Sequence, residues 1–375
     1  MRIALVDTYY RRFLSDLYAR TPSLKAESFQ AQRRALINAR FGTSDFYSSH
    51  LKELGWEASD LIVNCVPLQA AWARENGRAA AALQFPIPHR FYRIPLLGRA
   101  LAALPGLLDV AMAQIRALKP DVLFSHDLTF FPPGALQALK ADVRLIVGQV
   151  ASPLPPRDFL AGYDLILTSF PHFVAEIEAM GIASEYFRLG FEPRVATECD
   201  APARDIDISF VGGVSRAHKN AIPLLEHLAR NTPIRFFGYG ADDLPASSPI
   251  KARYEREVWG LDMYRIMARS KITINRHIAI AGNNANNMRL YESTGMGALL
   301  LTERKDNLAE LFEPDREVAV YSDPQEATAK IEALLADPDR LRRIAAAGNA
   351  RTLRDHTYQA RMQQLSAILA RHLKT

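Results

Sequence analysis

Residues 286–302, Asn286-Asn287-Met288-Arg289-Leu290-Tyr291-Glu292-Ser293-Thr294-Gly295-Met296-Gly297-Ala298-Leu299-Leu300-Leu301-Thr302, decide how this chain is read. They predict a short polar loop, one helix and one buried strand. Glu292 is the lone carboxylate of an otherwise small and apolar helix. Gly295 and Gly297 bracket the turn into the strand Ala298–Thr302. The first amides of a helix lack intrahelical partners, so a helix start that faces polar residues is an anion site. An acid one or two turns further in accepts bonds from sugar hydroxyls. These are the parts of a nucleotide-diphosphate site. The alternative for Glu292 is a solvent-facing acid. Its neighbours Leu290, Gly295, Met296 and Ala298 describe instead a helix pressed on a sheet. A buried acid needs partners, and ribose hydroxyls are suitable ones.

The same alternation of short apolar runs with helical patterns extends outward through the whole chain. Strands are expected at Ile3–Asp7, Leu61–Val66, Val122–Ser125, Leu145–Val147 and Leu165–Thr168. A second set falls at Ile206–Val211, Ile234–Phe237, Ile272–Asn275, Ala298–Thr302 and Val318–Tyr321. Near-continuous hydrophobic strands separated by helices imply α/β architecture with mostly parallel sheets, covered on both faces. Such sheets bind ligands at the carboxyl ends of their strands. The polar, Pro-bearing segment before Ile206 lacks periodicity and reads as a linker. The expected division is residues 1–190, a linker 191–205, residues 206–355 and a last helical segment 356–375. Asp323-Pro324 and Asp337-Pro338 read as helix starts, and Asp355-His356-Thr357 as a break before the last helix.

Several groups fall on the carboxyl edges. Ile206–Val211 runs into Gly212-Gly213 and then Arg216 and Lys219. Glycines there let a backbone approach a ligand closely, and the two cations neutralise a diphosphate leaving group. The bland reading is a strand-to-helix turn with a solvated basic face. Gly238 ends the next strand. Asn275-Arg276-His277 ends another, followed by the loop Gly282-Asn283-Asn284-Ala285-Asn286-Asn287 and then Met288. Amides of that loop, with Asn275, His277, Asn284, Asn286, Asn287 and Met288, are candidates to hold phosphate oxygens. A plain surface loop is the alternative. Trp259 and Tyr264 either flank a base or pack in the core. In the first half, His126 and Asp127 end the strand Val122–Ser125, and Asp7 faces the same edge. His126 there acts as an acid–base group or holds an acceptor hydroxyl, unless the pair is a structural cap. Asp205-Ile206-Asp207 has a metal-holding form but precedes its strand, which puts it on the wrong edge. No metal ligand set is expected.

Composition agrees with a globular chain. Of 375 residues, 49% are hydrophobic and 23% charged, enough for large cores without disulfides. Cys65 and Cys199 are far apart and belong to no metal or redox motif. The opening Met1-Arg2-Ile3-Ala4-Leu5-Val6-Asp7 reads as a core strand, and no apolar run approaches the roughly 18 residues of a membrane span. A cytoplasmic location is the expectation. The net charge of +5 and pI near 9.1 allow attraction to phosphates and a peripheral contact with anionic lipid heads. Nucleic acid is not expected, since no basic cluster alternates with aromatics.

The words Phe210-Val211-Gly212-Gly213, Asn287-Met288-Arg289-Leu290-Tyr291-Glu292, Gly295–Thr302, Leu308–Pro314, Ala347-Gly348 and His356-Thr357-Tyr358 carry a resemblance. Over residues 207–358 the chain resembles the nucleotide-sugar domain of GT-B glycosyltransferases. Within these it is similar to family four and to the spore-maturation-type proteins. The first half matches only in Gly42-Thr43-Ser44-Asp45 and Leu68-Gln69-Ala70-Ala71-Trp72-Ala73. The resemblance implies two Rossmann-like domains facing across a cleft, the first binding the acceptor and the second the donor. It implies that the last helix packs back on the first domain. It also implies transfer of a sugar from a nucleotide-diphosphate sugar to a glycan, protein or small-molecule hydroxyl, with retention of configuration, in polysaccharide or glycoconjugate synthesis. No cofactor is implied beyond that co-substrate. At the Glu292 position the family's acid contacts the donor ribose. A second family acid, eight residues earlier, is Asn284 here. Asp7-Thr8-Tyr9-Tyr10 stands where the family carries glycines. A nucleotide-sugar epimerase and a non-catalytic nucleotide-sugar binder are the two rival readings.

Overall fold

The computed structural model describes residues 1–78, 106–199, 203–214 and 220–374. They form two compact units. Unit 1 comprises residues 1–168, 172–186 and 365–375, and unit 2 comprises residues 169–171 and 187–364. Each is built on a six-stranded, wholly parallel sheet.

In unit 1 the strands are β1 (Arg2–Asp7), β2 (Glu57–Ile62), β3 (Val122–Ser125), β4 (Leu145–Val150), β5 (Leu165–Thr168) and β6 (Ala183–Tyr186), in the order β2-β1-β3-β4-β5-β6. β3, β4 and β5 are buried along their whole length, because helices cover both faces of a parallel sheet. The order reverses between β1 and β3, and a doubly wound sheet opens its ligand crevice at the carboxyl ends of such a pair.

In unit 2 the strands are β7 (Ile206–Val211), β8 (Arg235–Phe237), β9 (Tyr254–Arg256), β10 (Ser270–Asn275), β11 (Leu299–Glu303) and β12 (Ala319–Tyr321), in the order β12-β11-β10-β7-β8-β9. The reversal here lies between β7 and β10. A core of Ile208, Leu225, Leu228, Ile234, Phe236, Ile272, Leu299 and Leu301 joins the sheet to its helices. Asp323 and Asp337 cap the helices Pro324–Ala336 and Pro338–Asp355 through their carboxylates.

Two sequence readings are corrected. The second strand is Glu57–Ile62, not Leu61–Val66: Val66-Pro67 opens the helix Val66–Glu75, where proline fits because its missing N–H has no partner anyway. β6 and β9 were not expected. Both are short, polar edge strands (Ala-Ser-Glu-Tyr and Tyr-Glu-Arg), and edges carry charge to discourage further pairing. Within the segment 191–205, residues 191–199 are packed as part of unit 2. Phe191 is buried, receives a bond from the Tyr358 amide and donates to the His356 carbonyl. Glu192 is buried against Arg194, and Arg194–Glu198 is helical. The last helix, Tyr358–His372, starts in unit 2 and ends in unit 1, where Ser366 accepts from Trp56 and Glu185 holds Arg371 and His372. No helix among the described residues is long and apolar enough to cross a membrane.

Candidate functional site

The stretch that opens the sequence reading forms a loop, the helix Arg289–Gly295 and β11. Gly295 is forced by packing: a Cβ there would lie 2.4 Å from the Phe191 ring. Gly297 turns the chain with φ +73°. Next to this turn Arg204 donates to the carbonyls of Ala268, Ser270 and Met296, holding the ends of two helices. Burial lowers its pKa.

Glu292 is 3% exposed, so the solvent-facing alternative is excluded. Its partners come from the protein. Arg289 Nη1 donates to Oε2 at 2.5 Å, and the Tyr264 hydroxyl donates to Oε1 at 3.2 Å. A carboxylate accepts about four bonds, so it retains acceptor positions beyond these two. Tyr264 is thereby a core residue beneath the acid rather than one side of a base slot. Burial, then the Glu292 charge, raises its pKa far above the ordinary tyrosine value. Trp259 stacks on Tyr239 instead, with ring centroids 5.4 Å apart and planes at 13°.

The polar loop before the helix is bonded inward. Asn287 Nδ2 donates to Asn275 Oδ1 (2.8 Å) and to the Arg276 carbonyl (3.0 Å), and its Oδ1 receives the Leu290 amide (3.3 Å). Asn287 therefore caps the helix and ties it to β10. Asn275 Nδ2 also donates to Thr302 Oγ1 (3.0 Å), its register partner on β11. His277 Nδ1 accepts the Asn286 amide at 3.1 Å, which places the ring proton on Nε2, facing Thr302 Oγ1 at 3.3 Å. Burial pushes the His277 pKa down to about 4, so the ring is neutral near pH 7. Asn286 Nδ2 is buried without a partner among the described residues. Asn284 Nδ2 donates to the Ala281 carbonyl, and Met288 is the residue before the helix. Arg276 and the His277 amide share Glu303.

Gly212, Gly213 and Gly238 lie at the carboxyl ends of β7 and β8. Gly238 has φ +121°, and a Cβ on it would stand 2.3 Å from the Gly212 carbonyl oxygen. The Gly212–Gly238 pair thus has a packing reason of its own. Arg216 and Lys219 lie outside the described residues. Asp205 precedes β7 and Asp207 is its second residue, and they carry their own cations, Arg269 and Lys271. That places them on the amino edge, as read from sequence.

In unit 1, β1 and β3 bring Asp7 and His126 together: His126 Nδ1 stands 3.9 Å from Asp7 Oδ2. Thr43 Oγ1 donates to that same Asp7 oxygen at 2.8 Å. Neither His126 ring nitrogen has a hydrogen-bond partner among the described residues. Burial lowers its pKa, with Asp7 opposing. Asp127 is engaged otherwise: it receives the Thr129 amide and hydroxyl and the Thr8 hydroxyl. This is the capping role, the alternative that the sequence left open. Sequence reading missed Arg289 and Thr302 as site members. Arg289 was signalled by its position three residues before Glu292 on one helix face.

Residues 218–367 match the model of a family described as glycosyl transferase-like. Among solved structures, the Anabaena protein HepE in complex with UDP-glucose shares 12% identity over 99% of each chain, with a TM-score of 0.59. Sucrose-phosphate synthase from Thermosynechococcus elongatus shares 11% over 99% of this chain and 98% of that one, at 0.57. AviGT4, a glycosyltransferase involved in avilamycin A biosynthesis, shares 15% over 100% and 98%, at 0.55. The fold is GT-B. At these identities the likeness is one of fold, and the GT-B architecture has the two Rossmann-like sheets described above. No curated protein matches the chain.

Proposed function

We propose that this GT-B protein is a glycosyltransferase that moves a hexose from a nucleotide-diphosphate sugar to a hydroxyl acceptor. The observation that carries the proposal is the topological switch point of unit 2. β7 and β10, neighbours at the reversal of the sheet, run into Gly212-Gly213 and Asn275-Arg276-His277, the edge where an open α/β sheet takes its ligand, and residues 218–367 match the glycosyl transferase-like model. Glu292 accepts the ribose hydroxyls at its remaining acceptor positions, and Trp259 is the aromatic that flanks the base. Arg216 and Lys219 meet the diphosphate, so transfer needs no metal. His126 and Asp7, at the switch point of unit 1, orient or deprotonate the acceptor hydroxyl. Retention of configuration follows from the resemblance described above.

The test is a thermal-shift screen of nucleotide sugars, followed by nucleotide release from the best binder in excess chelator. Stabilisation by at least one nucleotide sugar and chelator-resistant release are expected. A protein that no nucleotide sugar stabilises refutes the donor site. Release that stops in chelator and returns with magnesium or manganese refutes metal independence. Recovery of the free sugar nucleotide as its epimer would assign an epimerase instead.

A further inference from the structure

We infer that His277 is a positioning residue: it holds the loop that runs through Asn286 into the Glu292 helix, and it does not itself touch the donor. This rests on the proposed donor site and gives one of its candidate contacts a different part. The reason lies in where the two ring nitrogens point. Asn275 Nδ2 and His277 Nε2 both meet Thr302 Oγ1 on β11, at 3.0 and 3.3 Å. On the other side of the ring, Nδ1 accepts the Asn286 backbone amide at 3.1 Å. Both nitrogens are therefore spent within the protein, and the residue is 4% exposed. A histidine that grips a phosphate keeps a nitrogen open and a charge on the ring. Here burial, with Lys305 and Arg276 nearby, favours the neutral ring. That is the form the bond needs, because an imidazolium has no lone pair left to accept an amide.

The neighbours of Asn286 are fixed by other means. Asn307 Oδ1 receives the Ala285 amide at 2.6 Å. Asn287 Nδ2 donates to Asn275 Oδ1 and to the Arg276 carbonyl. Asn286 lies between them, and its own Nδ2 is buried without a partner among the described residues. The backbone bond to His277 is thus the tie that sets this residue. It also closes a circuit. The Asn286 amide donates to His277, and His277 and Asn275 both donate to Thr302. Asn287 donates to Asn275 and receives the Leu290 amide, in the first turn of the helix that carries Glu292. Tyr321 anchors the circuit from β12 by donating to the Asn275 carbonyl at 2.8 Å. Opening it at His277 frees the loop first and the Glu292 helix after it.

The experiment uses two substitutions that each keep one side of the ring. The side-chain amide of asparagine overlays Nδ1, and that of glutamine reaches Nε2. His277→Asn should therefore still receive the Asn286 amide, and His277→Gln should not. Hydrogen exchange at the Asn286 amide is followed by NMR on the full chain with nitrogen-labelled asparagine. We expect slow exchange in the wild type and His277→Asn, and exchange about three- to tenfold faster in His277→Gln. Long-range proton–nitrogen NMR of the wild type should show the His277 ring as the neutral Nε2–H tautomer, with and without uridine diphosphate. Uridine diphosphate affinity, by calorimetry, should fall about three- to tenfold in His277→Gln and less in His277→Asn. A larger loss in His277→Asn than in His277→Gln, or a change of tautomer when the nucleotide binds, would make His277 a donor contact and overturn the inference. Equal exchange of Asn286 in the two variants also overturns it. So does an Nδ1–H tautomer in the wild type, a result that needs neither variant to fold. If uridine diphosphate fails to bind the wild-type protein, that counts against the donor reading, while tautomer and exchange still decide what His277 holds.

Discussion

A single carboxylate, Glu292, shows how much a residue's role depends on what it touches. Its acceptor atoms are shared between Arg289, Tyr264 and the proposed ribose. Glu292→Gln keeps the shape and one acceptor oxygen but removes the charge. A hydrogen bond to a charged group contributes about 1.5–3 kcal/mol, so nucleotide affinity should fall roughly ten- to hundredfold. Calorimetry with the nucleotide diphosphate measures it. A folded variant that loses thermal stability but binds nucleotide as wild type does would confine Glu292 to the ion pair. His126 separates two functions that Glu292 joins. His126→Ala should leave nucleotide affinity intact and lower transfer by about 10²–10⁴-fold if the imidazole moves a proton. A loss near tenfold would indicate a positioning bond. Wild-type transfer, or equal loss of affinity and transfer, would remove it from the site.

At the scale of elements, the decisive device is Asn287, which joins β10 to the helix Arg289–Gly295 by three hydrogen bonds. Asn287→Ala removes a cap and leaves Asn275 without that donor. We expect a loss of about 1–3 kcal/mol, read by urea unfolding, together with weaker nucleotide binding. Unchanged stability would mean that the helix is held by packing alone. The elements themselves were largely legible. Continuous apolar runs such as Leu299-Leu300-Leu301 and Leu165-Ile166-Leu167 mark central parallel strands, which are buried on both faces. β2, β6 and β9 were misplaced or missed because Asp60, Glu185 and Arg256 break their apolar pattern. Asp60 is nonetheless buried, held by Arg33 and Ser48, and those partners are distant in sequence. The site was legible as a set of positions and not as a network. Asn275, His277, Asn287 and Glu292 were found, but what each bonds to depends on the register of β10 against β11.

At the scale of the whole molecule, the two units differ in their buried titratable groups: unit 2 holds two histidines lowered by burial, whereas in unit 1 the raised Asp60 opposes the lowered His126. In unit 2, burial lowers His277 and His356 to about 4, against an unfolded value near 6.5. The unfolded chain takes up these protons first as pH falls. The two neutral rings therefore stabilise unit 2 fully above pH 6.5, and that stability is lost as pH drops toward 4. The linkage reaches at most about 3 kcal/mol per ring. In unit 1, burial raises Asp60 to about 6 against an ordinary 3.8, with Ser48 and Arg33 opposing. Here the folded state keeps a proton that the unfolded state has lost. That contribution is present below pH 3.8 and is lost as pH rises through 6. Acidification from pH 6.5 to 4.5 should therefore loosen unit 2 more than unit 1. Hydrogen exchange followed by mass spectrometry reads each unit separately. Peptides from β10, β11 and the helix Pro338–Asp355 should lose protection, while those from β1 and β2 hold theirs. His277→Gln should flatten part of the unit 2 response, and Asp60→Asn should steepen the acid loss in unit 1 by removing its counterweight. Parallel loss of protection in both units, unaltered by either substitution, would show that these buried groups do not govern the acid response.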